Sequence, residues 1–324
     1  MKNKISFYPT PFFDEHILGT LARWHAMLSN RSFSKSVAEV TSNTSAINPS
    51  SIWRLIYISI FGIYQGQFPV EEFLRHTLWN YYLPFHCGKA LSLFDNKNPD
   101  TLKLVPAEQI RIKTARNWRW CHHCAQEDID NVGTTYWHAS HQVASMINCQ
   151  KHGEKLIHAC SNCGFNSTDL GMLLFPPADN KCPACKSAFD TSAITDPIVK
   201  WIDGLTTKLI CAPKGNAVSD IKSALIEHAN LPTLHHRVPL KDMRQVAKVQ
   251  RTFNTFLQSI NIMNHYFQFP SKNHGARAPY LQVSAMLYSD TFLPPLYYLM
   301  LMKFLIEDDC EIENILLGKE QFYA

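Results

Sequence analysis

Between residues 121 and 185 the sequence carries four pairs of ligand-type residues, each with two residues between the partners. They are Cys121/Cys124, Cys149/His152, Cys160/Cys163 and Cys182/Cys185. A Cys-x-x-Cys turn presents two thiolates to one metal ion, and two such knuckles complete a closed tetrahedron around Zn²⁺. A chain with this pattern is expected to fold around two structural zinc ions. Joined in chain order, the pairs give one site of three cysteines and a histidine and one site of four cysteines. Joined crosswise, first with third and second with fourth, they also make two complete sets, and spacing does not choose between them.

Seven of the ten cysteines belong to these pairs, and Cys87, Cys211 and Cys310 stand alone. A scattered, odd remainder fits a reducing cytoplasm better than a secreted disulfide framework. No secretory signal is read at the start, where Pro9 and Pro11 interrupt the apolar residues. The most apolar late stretch, 292–306, is too short and too interrupted to span a bilayer, and a buried helix is expected there. With 46% hydrophobic and 18% charged residues the chain is a folded globular protein. Its 324 residues suffice for two or three modules. A net charge of +4 permits contact with nucleic acid without arguing for it.

Ahead of the first pair, residues 1–13 read as an extended arm. A helix is expected over 14–28, with Asp14 as its N-cap and Ile17, Leu18, Leu21, Trp24 and Leu28 on one apolar face. Short helices follow over 34–40 and 50–63, joined by the polar run 41–45. Three short helices in succession fit a helix-turn-helix. The third, however, is apolar all round and carries only Arg54 as a base, which fits packing or protein contact better than a DNA groove. Another helix is expected over 70–82. Phe85-His86-Cys87 lacks a partner pair and reads as core, and residues 95–100 read as a linker.

Two stretches carry cations in patterns that suit a phosphate backbone. Arg111, Lys113, Arg116 and Arg119 are interleaved with Trp118 and Trp120 just before Cys121. They suit either backbone contact with base stacking, or a solvated strand whose tryptophans close the zinc core. Further on, a helix over 239–260 places Lys241, Arg244, Lys248 and Arg251 in one sector of about 80°, opposite Met243, Val246, Ala247, Phe253, Phe256 and Leu257. That stripe suits either nucleic acid or water. Between the first two pairs, Trp137 and His141 would share a face on a helix. His138 and His141 read as packing or outer-shell histidines, because the ligand sets are already full. No HExxH and no nucleophile–base set is present, so the chain does not read as an enzyme. Helices are also expected over 197–211 and 220–228, with one or two more in the tail. The acidic run Glu307, Asp308, Asp309, Glu311 and Glu313 is expected to face water.

The ordered motif Cys121-x-x-Cys124, Tyr136-Trp137, His141-Gln142, Cys149-x-x-His152-Gly153, Leu156, Cys160-x-x-Cys163-Gly164 and Cys182-x-x-Cys185 resembles the TniQ/TnsD family of transposon target-selection proteins. The opening with Pro11, Asp14-Glu15, Leu18 and Arg23 is similar too, and the likeness covers about residues 9–190. Gln150 and His122 stand where that family usually carries proline, and neither departure removes a ligand.

The resemblance implies a protein that is not the transposase. Such proteins couple target recognition to recruitment of an AAA+ ATPase regulator, which brings in the transposase. One branch binds a DNA site through a long C-terminal region. The shorter branch sits as a head-to-tail homodimer on the Cas subunits and guide RNA of a Cascade complex in CRISPR-associated transposons. About 135 residues follow the zinc region here and the third helix is apolar, which favours the shorter, adaptor branch. Target DNA is a partner under the TnsD-like alternative, and no membrane is involved under either. The expected fold is mainly α with small zinc-knuckle β elements. Residues 1–95 would form a helix-turn-helix domain, 96–190 a double zinc-finger region and 191–324 a C-terminal helical domain.

Overall fold

The computed structural model describes residues 5–28, 32–41, 47, 49, 52–64, 67–86, 112–212, 216–233, 240–260, 262–267 and 281–318, with side chains from residue 243 onward in the 240–260 segment. Cys87, Arg111, the linker expected at 95–100 and the side chain of Lys241 lie outside this set. The described chain is mainly helical. Two compact units divide it, one holding residues 5–79 and 114–195, the other 80–86, 112–113 and 196–318.

The first unit begins with an arm laid on helix α1 (Ile17–Met27). Trp24 Nε1 donates to Phe7 O at 2.8 Å, and Tyr64 OH donates to Pro9 O at 2.9 Å. Arg23 and Glu15 meet fork to fork, with Nε to Oε1 at 2.8 Å and Nη2 to Oε2 at 2.7 Å, in a place where Glu15 has no exposed surface. Arg23 also donates to Thr10 O, and Glu15 Oε2 accepts from Phe12 N–H. A buried pair is tolerated only when its remaining valences are also satisfied, and here the arm supplies the missing partners.

Asp14 is not the N-cap that its position suggests. It sits in the left-handed region at φ 55°, and His16 caps α1 by accepting from Leu18 N–H through Nδ1 at 3.2 Å. Burial pushes the His16 imidazole down to about 3, which leaves Nδ1 unprotonated for that role.

Helices α2 (Phe33–Val40) and α3 (Leu55–Tyr64) follow. The third helix starts five residues later than its apolar run suggests. Trp53, just before it, is fully buried and stacks on Tyr57 at 5.0 Å. Ile56, Tyr57, Ile60 and Tyr64 face the core, and the helix itself carries no charged residue. The helix expected over 70–82 is two, α4 (Val70–Arg75) and α5 (Trp79–Tyr82). The break falls where His76 O accepts from Ile17 N–H at 2.6 Å and His76 Nδ1 lies 2.9 Å from Glu15 O.

One core serves this whole unit. Ile17, Leu21, Trp24, Trp53, Tyr57, Trp118, Trp120, Trp137, Cys160 and Cys182 belong to a single buried cluster. The N-terminal helices and the cysteine region, expected as separate domains, thus bury their apolar faces against each other. Small knuckle units enclose little apolar area by themselves, and sharing a core removes that deficit.

The second unit is built of helices α7 (Pro197–Cys211), α8 (Val218–His228), α9 (Leu240–Ser259), α10 (Met263–Tyr266), α11 (Val283–Tyr288), α12 (Pro295–Leu305) and α13 (Asp309–Leu317), together with α5's later residues. Asp196 caps α7 by accepting from Ile198 and Val199 N–H, and Pro197 occupies the first turn, where no amide donor is needed. Helix α12 is the buried helix expected in the apolar stretch, and every residue from Pro295 to Met302 is buried. It packs against α8, α9, α11 and α13. No helix among the described residues is long and apolar enough to cross a membrane.

The acidic run does not simply face water. Asp308 caps α13, while Asp309, Glu311 and Glu313 pair with Lys303, His228 and Lys208. Each such surface pair contributes little, and the buried face of α13 is formed by Ile312 and Leu316.

Candidate metal centre

The first cysteine pair opens a helix. Cys121 is the N-cap residue of α6 (His122–Val132), its carbonyl accepts from Ala125 N–H at 3.0 Å, and Cys124 lies in the first turn. The other three pairs share a different backbone. The first ligand's N–H donates to the carbonyl five residues on, and its carbonyl accepts from the N–H four residues on. This holds for Cys149 with Glu154 and Gly153, for Cys160 with Phe165 and Gly164, and for Cys182 with Ser187 and Lys186. The residue four on is left-handed each time, with φ 70° at Gly153, 72° at Gly164 and 64° at Lys186. A left-handed residue turns the chain sharply enough to point both ligand side chains inward. Each knuckle ends in one antiparallel bridge, Asn148 with Lys155, Ala159 with Asn166 and Lys181 with Ala188. These bridges are three of the six isolated β bridges among the described residues.

The knuckles meet in chain order and not crosswise. Cys121, Cys124, Cys149 and His152 form one cluster and Cys160, Cys163, Cys182 and Cys185 the other, each with its ligand atoms within 4.8 Å of one another. In the first, Nδ1 of His152 lies 3.5 Å from Cys121 Sγ, 3.3 Å from Cys124 Sγ and 3.7 Å from Cys149 Sγ, and the Cys124 and Cys149 sulfurs are 3.6 Å apart. In the second, Cys160 and Cys185 are 3.7 Å apart and Cys163 and Cys182 3.6 Å.

These separations test the fit of a metal. A disulfide would bring two sulfurs to about 2.05 Å. Ligands about 2.3 Å (sulfur) and about 2.05 Å (nitrogen) from a tetrahedral Zn²⁺ would stand about 3.8 Å apart for two sulfurs and about 3.5 Å for sulfur and nitrogen. The observed distances match the metal edges and exclude the disulfide. Both donor sets are full with four protein ligands, which is the arrangement of a structural ion.

Neighbouring side chains contact three of the cluster residues. Glu127 Oε1 lies 3.3 Å from His152 Nε2, on the far side of the ring from the cluster. A carboxylate in that position fixes the tautomer that presents Nδ1 to a metal. His141 is buried, with Nε2 3.9 Å from Cys124 Sγ, so it is the outer-shell residue that full ligand sets imply. Hydrogen bonding from Asn162 Nδ2 and from Ser187 holds the Cys185 thiol down at about 5, in the thiolate range.

The motif residues around the clusters prove to be joinery. Trp137 Nε1 donates to Leu174 O, and the ring packs 5.3 Å from Trp118 and 6.0 Å from Trp120. Tyr136 OH donates to Phe13 O at 3.1 Å. Gln142 pairs with the backbone of Arg119, its Oε1 accepting from the N–H at 2.9 Å and its Nε2 donating to the carbonyl at 2.8 Å. Trp137 and His141 do not share a helix. His138 pairs in extended form with Glu15, and only Ser140–Gln142 make a single 3-10 turn.

The described cations before the first cluster differ in their surroundings. Arg119 is buried, and its guanidinium donates to the carbonyls of Val143 and Met146. It cannot reach a phosphate. Trp118 and Trp120 are buried in the core, so they close it and are not offered to bases. Lys113 donates to Asn264 O at 2.8 Å, and Arg116 is exposed. On α9 the stripe is clearer. Arg244, Lys248 and Arg251 are exposed, and none has a carboxylate partner among the described residues. Val246, Phe253 and Leu257 are buried behind them, whereas Met243 is 44% exposed and does not join the apolar side as its phase suggests. Ala247 is exposed as well.

No curated protein matches the chain. The sequence model of the TniQ family matches residues 6–156, which takes in the arm, helices α1–α6 and the whole first cluster and stops short of Cys160. Residues 6–156 are thus similar to the TniQ family, and that stretch includes the first of the two candidate metal clusters.

Proposed function

We propose that the protein is a target-selection adaptor in DNA transposition. The observation that carries this reading is the match of the TniQ family model to residues 6–156, since membership of that family implies a role in choosing the transposition target. In this reading two Zn²⁺ ions fill the clusters and act as structural ions. The protein performs no chemistry itself, works in the bacterial cytoplasm and docks on the Cas subunits of a guide-RNA Cascade complex as a head-to-tail homodimer. It then recruits the AAA+ regulator and, through it, the transposase. The three N-terminal helices act as a helix-turn-helix that meets protein. The absence of charge from α3 supports that use, because a recognition helix for DNA needs cations and polar side chains. Affinity co-purification of the tagged chain with co-expressed Cascade and guide RNA tests it. Recovery at two copies per complex is expected, and recovery of the chain alone would end the adaptor reading.

One observation favours a second reading, direct DNA binding of the TnsD type. Arg244, Lys248 and Arg251 line an exposed face of α9. Affinity for a DNA site would then fall steeply with salt, and a salt-titrated search for such a site distinguishes it.

A further inference from the structure

His122 and His123 stand between the two cysteines of the first cluster in sequence, yet neither belongs to it. Both turn to Glu154, which comes two residues after His152 in the next knuckle. Glu154 Oε1 is 3.3 Å from His123 Nε2, and Oε2 is 3.5 Å from His122 Nδ1. One ligand atom from each of the three residues lies within 4.8 Å of the others. The two imidazole rings face each other at 4.0 Å.

The distances discriminate between an ion pair and a ligand set. A charge-assisted N–H···O bond closes to about 2.7–2.9 Å. Both contacts here are longer, and His122 Nδ1 and Glu154 Oε2 are buried atoms with no hydrogen-bond partner. Buried polar atoms in that condition call for an explanation such as an ion. Nitrogen and oxygen ligands about 2.0–2.2 Å from one zinc-sized ion stand about 3.3–3.6 Å apart in a tetrahedron. The two nitrogen–oxygen separations, one to each carboxylate oxygen, fall in that range, and the three ligand atoms lie within 4.8 Å of one another.

The geometry points to a third metal site formed by His122, His123 and Glu154, which takes a divalent transition ion such as Zn²⁺. Two imidazoles and a carboxylate suit ions of this class better than Mg²⁺ or Ca²⁺, which prefer oxygen alone. Three protein ligands leave one position for water or an outside donor, so the site is open where the other two are closed. His123 is half exposed, which provides the entry path. The first cluster sets the spacing. Its Cys121 is the N-cap residue of the helix that begins with His122 and His123, and its Cys149 donates its N–H to Glu154 O at 2.7 Å. The third ion is thus expected to bind after the first cluster is filled, and more weakly.

The test uses the untagged full chain, purified with its two tightly held ions. Zn²⁺ is titrated calorimetrically into this protein and into the His123→Ala and Glu154→Gln variants. Metal content per chain is counted by elemental analysis before and after. The wild type is expected to take up one further ion at micromolar concentration. Each variant should weaken that step by about tenfold or more while retaining the first two ions. With Co²⁺ as the probe, the added ion should absorb without new thiolate-to-metal charge transfer, since no sulfur joins the set. The inference is overturned if the wild type takes no third ion at tens of micromolar, or if both variants bind it as tightly. Should a variant lose the cluster ions, the wild-type titration and the cobalt spectrum still decide.

Discussion

Asp14 Oδ2 lies 3.3 Å from Nδ1 of His138, and the other nitrogen of the same ring lies 3.1 Å from Asp128 Oδ2. One imidazole thereby joins the N-terminal arm, helix α6 and the segment after it. Burial by itself pushes His138 down, but the carboxylates of Asp128 and Asp14 outweigh it and lift the ring to about 9. An unfolded histidine titrates near about 6.5. The charged ring's contribution is therefore complete below about 6.5 and is lost as pH rises through about 9. Asp14 behaves oppositely. Burial would raise it, yet the His138 and Ser140 contacts hold it low, so its share is lost on acidification. The stability difference between wild type and His138→Gln, from urea unfolding, should shrink by on the order of 3 kcal/mol between about pH 6 and about pH 10. A difference that stays constant across that range would show that the ring is not charged in the fold.

In the structural-ion reading of the two clusters, removal of the metal should dissolve the core of the first unit and not merely loosen two loops. Cys160 and Cys182 are buried in the same cluster as Trp24, Trp53, Trp118, Trp120 and Trp137. Ligand thiolates released from an ion would have to be hydrated, and that hydration opens the tryptophan core. A strong chelator is expected to red-shift tryptophan fluorescence in step with the loss of two ions per chain. Cys149→Ser should produce the same shift without chelator. Fluorescence that stays native after both ions are gone would contradict the structural role.

What the sequence revealed depended on how local the signal was. The two four-residue clusters were legible because only two residues separate the partners of each pair, and helix α7 was legible from the spacing of Ile198, Trp201, Ile202 and Leu205. The N-terminus of α1 was not, because Asp14 spends its carboxylate on Ser140, more than a hundred residues away. Arg119 looked like one more surface cation. Its burial rests on the carbonyls of Val143 and Met146, which only the fold brings near. Trp118 and Trp120 carried both readings until the core was seen. The His122–His123–Glu154 group was hidden for another reason, since the cysteines on either side absorb the attention that a His-His pair would draw.

Lys186 is the one knuckle residue of its kind without glycine. It holds φ 64°, where Gly153 and Gly164 hold 70° and 72°. A left-handed conformation costs an L-residue about 1–2 kcal/mol, and glycine gives back about 0.5–1 kcal/mol through the greater freedom of its unfolded chain. Lys186→Gly is thus expected to stabilise the protein by about 0.5–1 kcal/mol. Gly153→Ala should destabilise it by about 1 kcal/mol or more. An added Cβ at Gly153 meets no atom within 4 Å, so that loss would come from the backbone alone. Chemical denaturation of the two variants checks both signs, and a destabilised Lys186→Gly would mean that the lysine side chain contributes more than its backbone strain removes.

The cations separate by position into two kinds, and their substitution should separate by readout. Arg119 lies inside, held by backbone carbonyls, so Arg119→Ala leaves those acceptors unpaired and should cost about 3 kcal/mol of stability. Arg244, Lys248 and Arg251 lie outside on α9, so alanine at all three should leave the midpoint of unfolding nearly unchanged. If the exposed stripe lies along a phosphate backbone, each cation removed takes about 0.9 from the slope of log affinity against log salt, and the triple variant should lose nearly three. The measurement is DNA retention at several salt concentrations with the unfolding curve of each variant beside it. A slope that does not move, in a triple variant that folds normally, would leave the α9 face to water and remove the ground for the TnsD-like reading. A slope that moves by nearly three would place the α9 face against nucleic acid, as the TnsD-like reading requires.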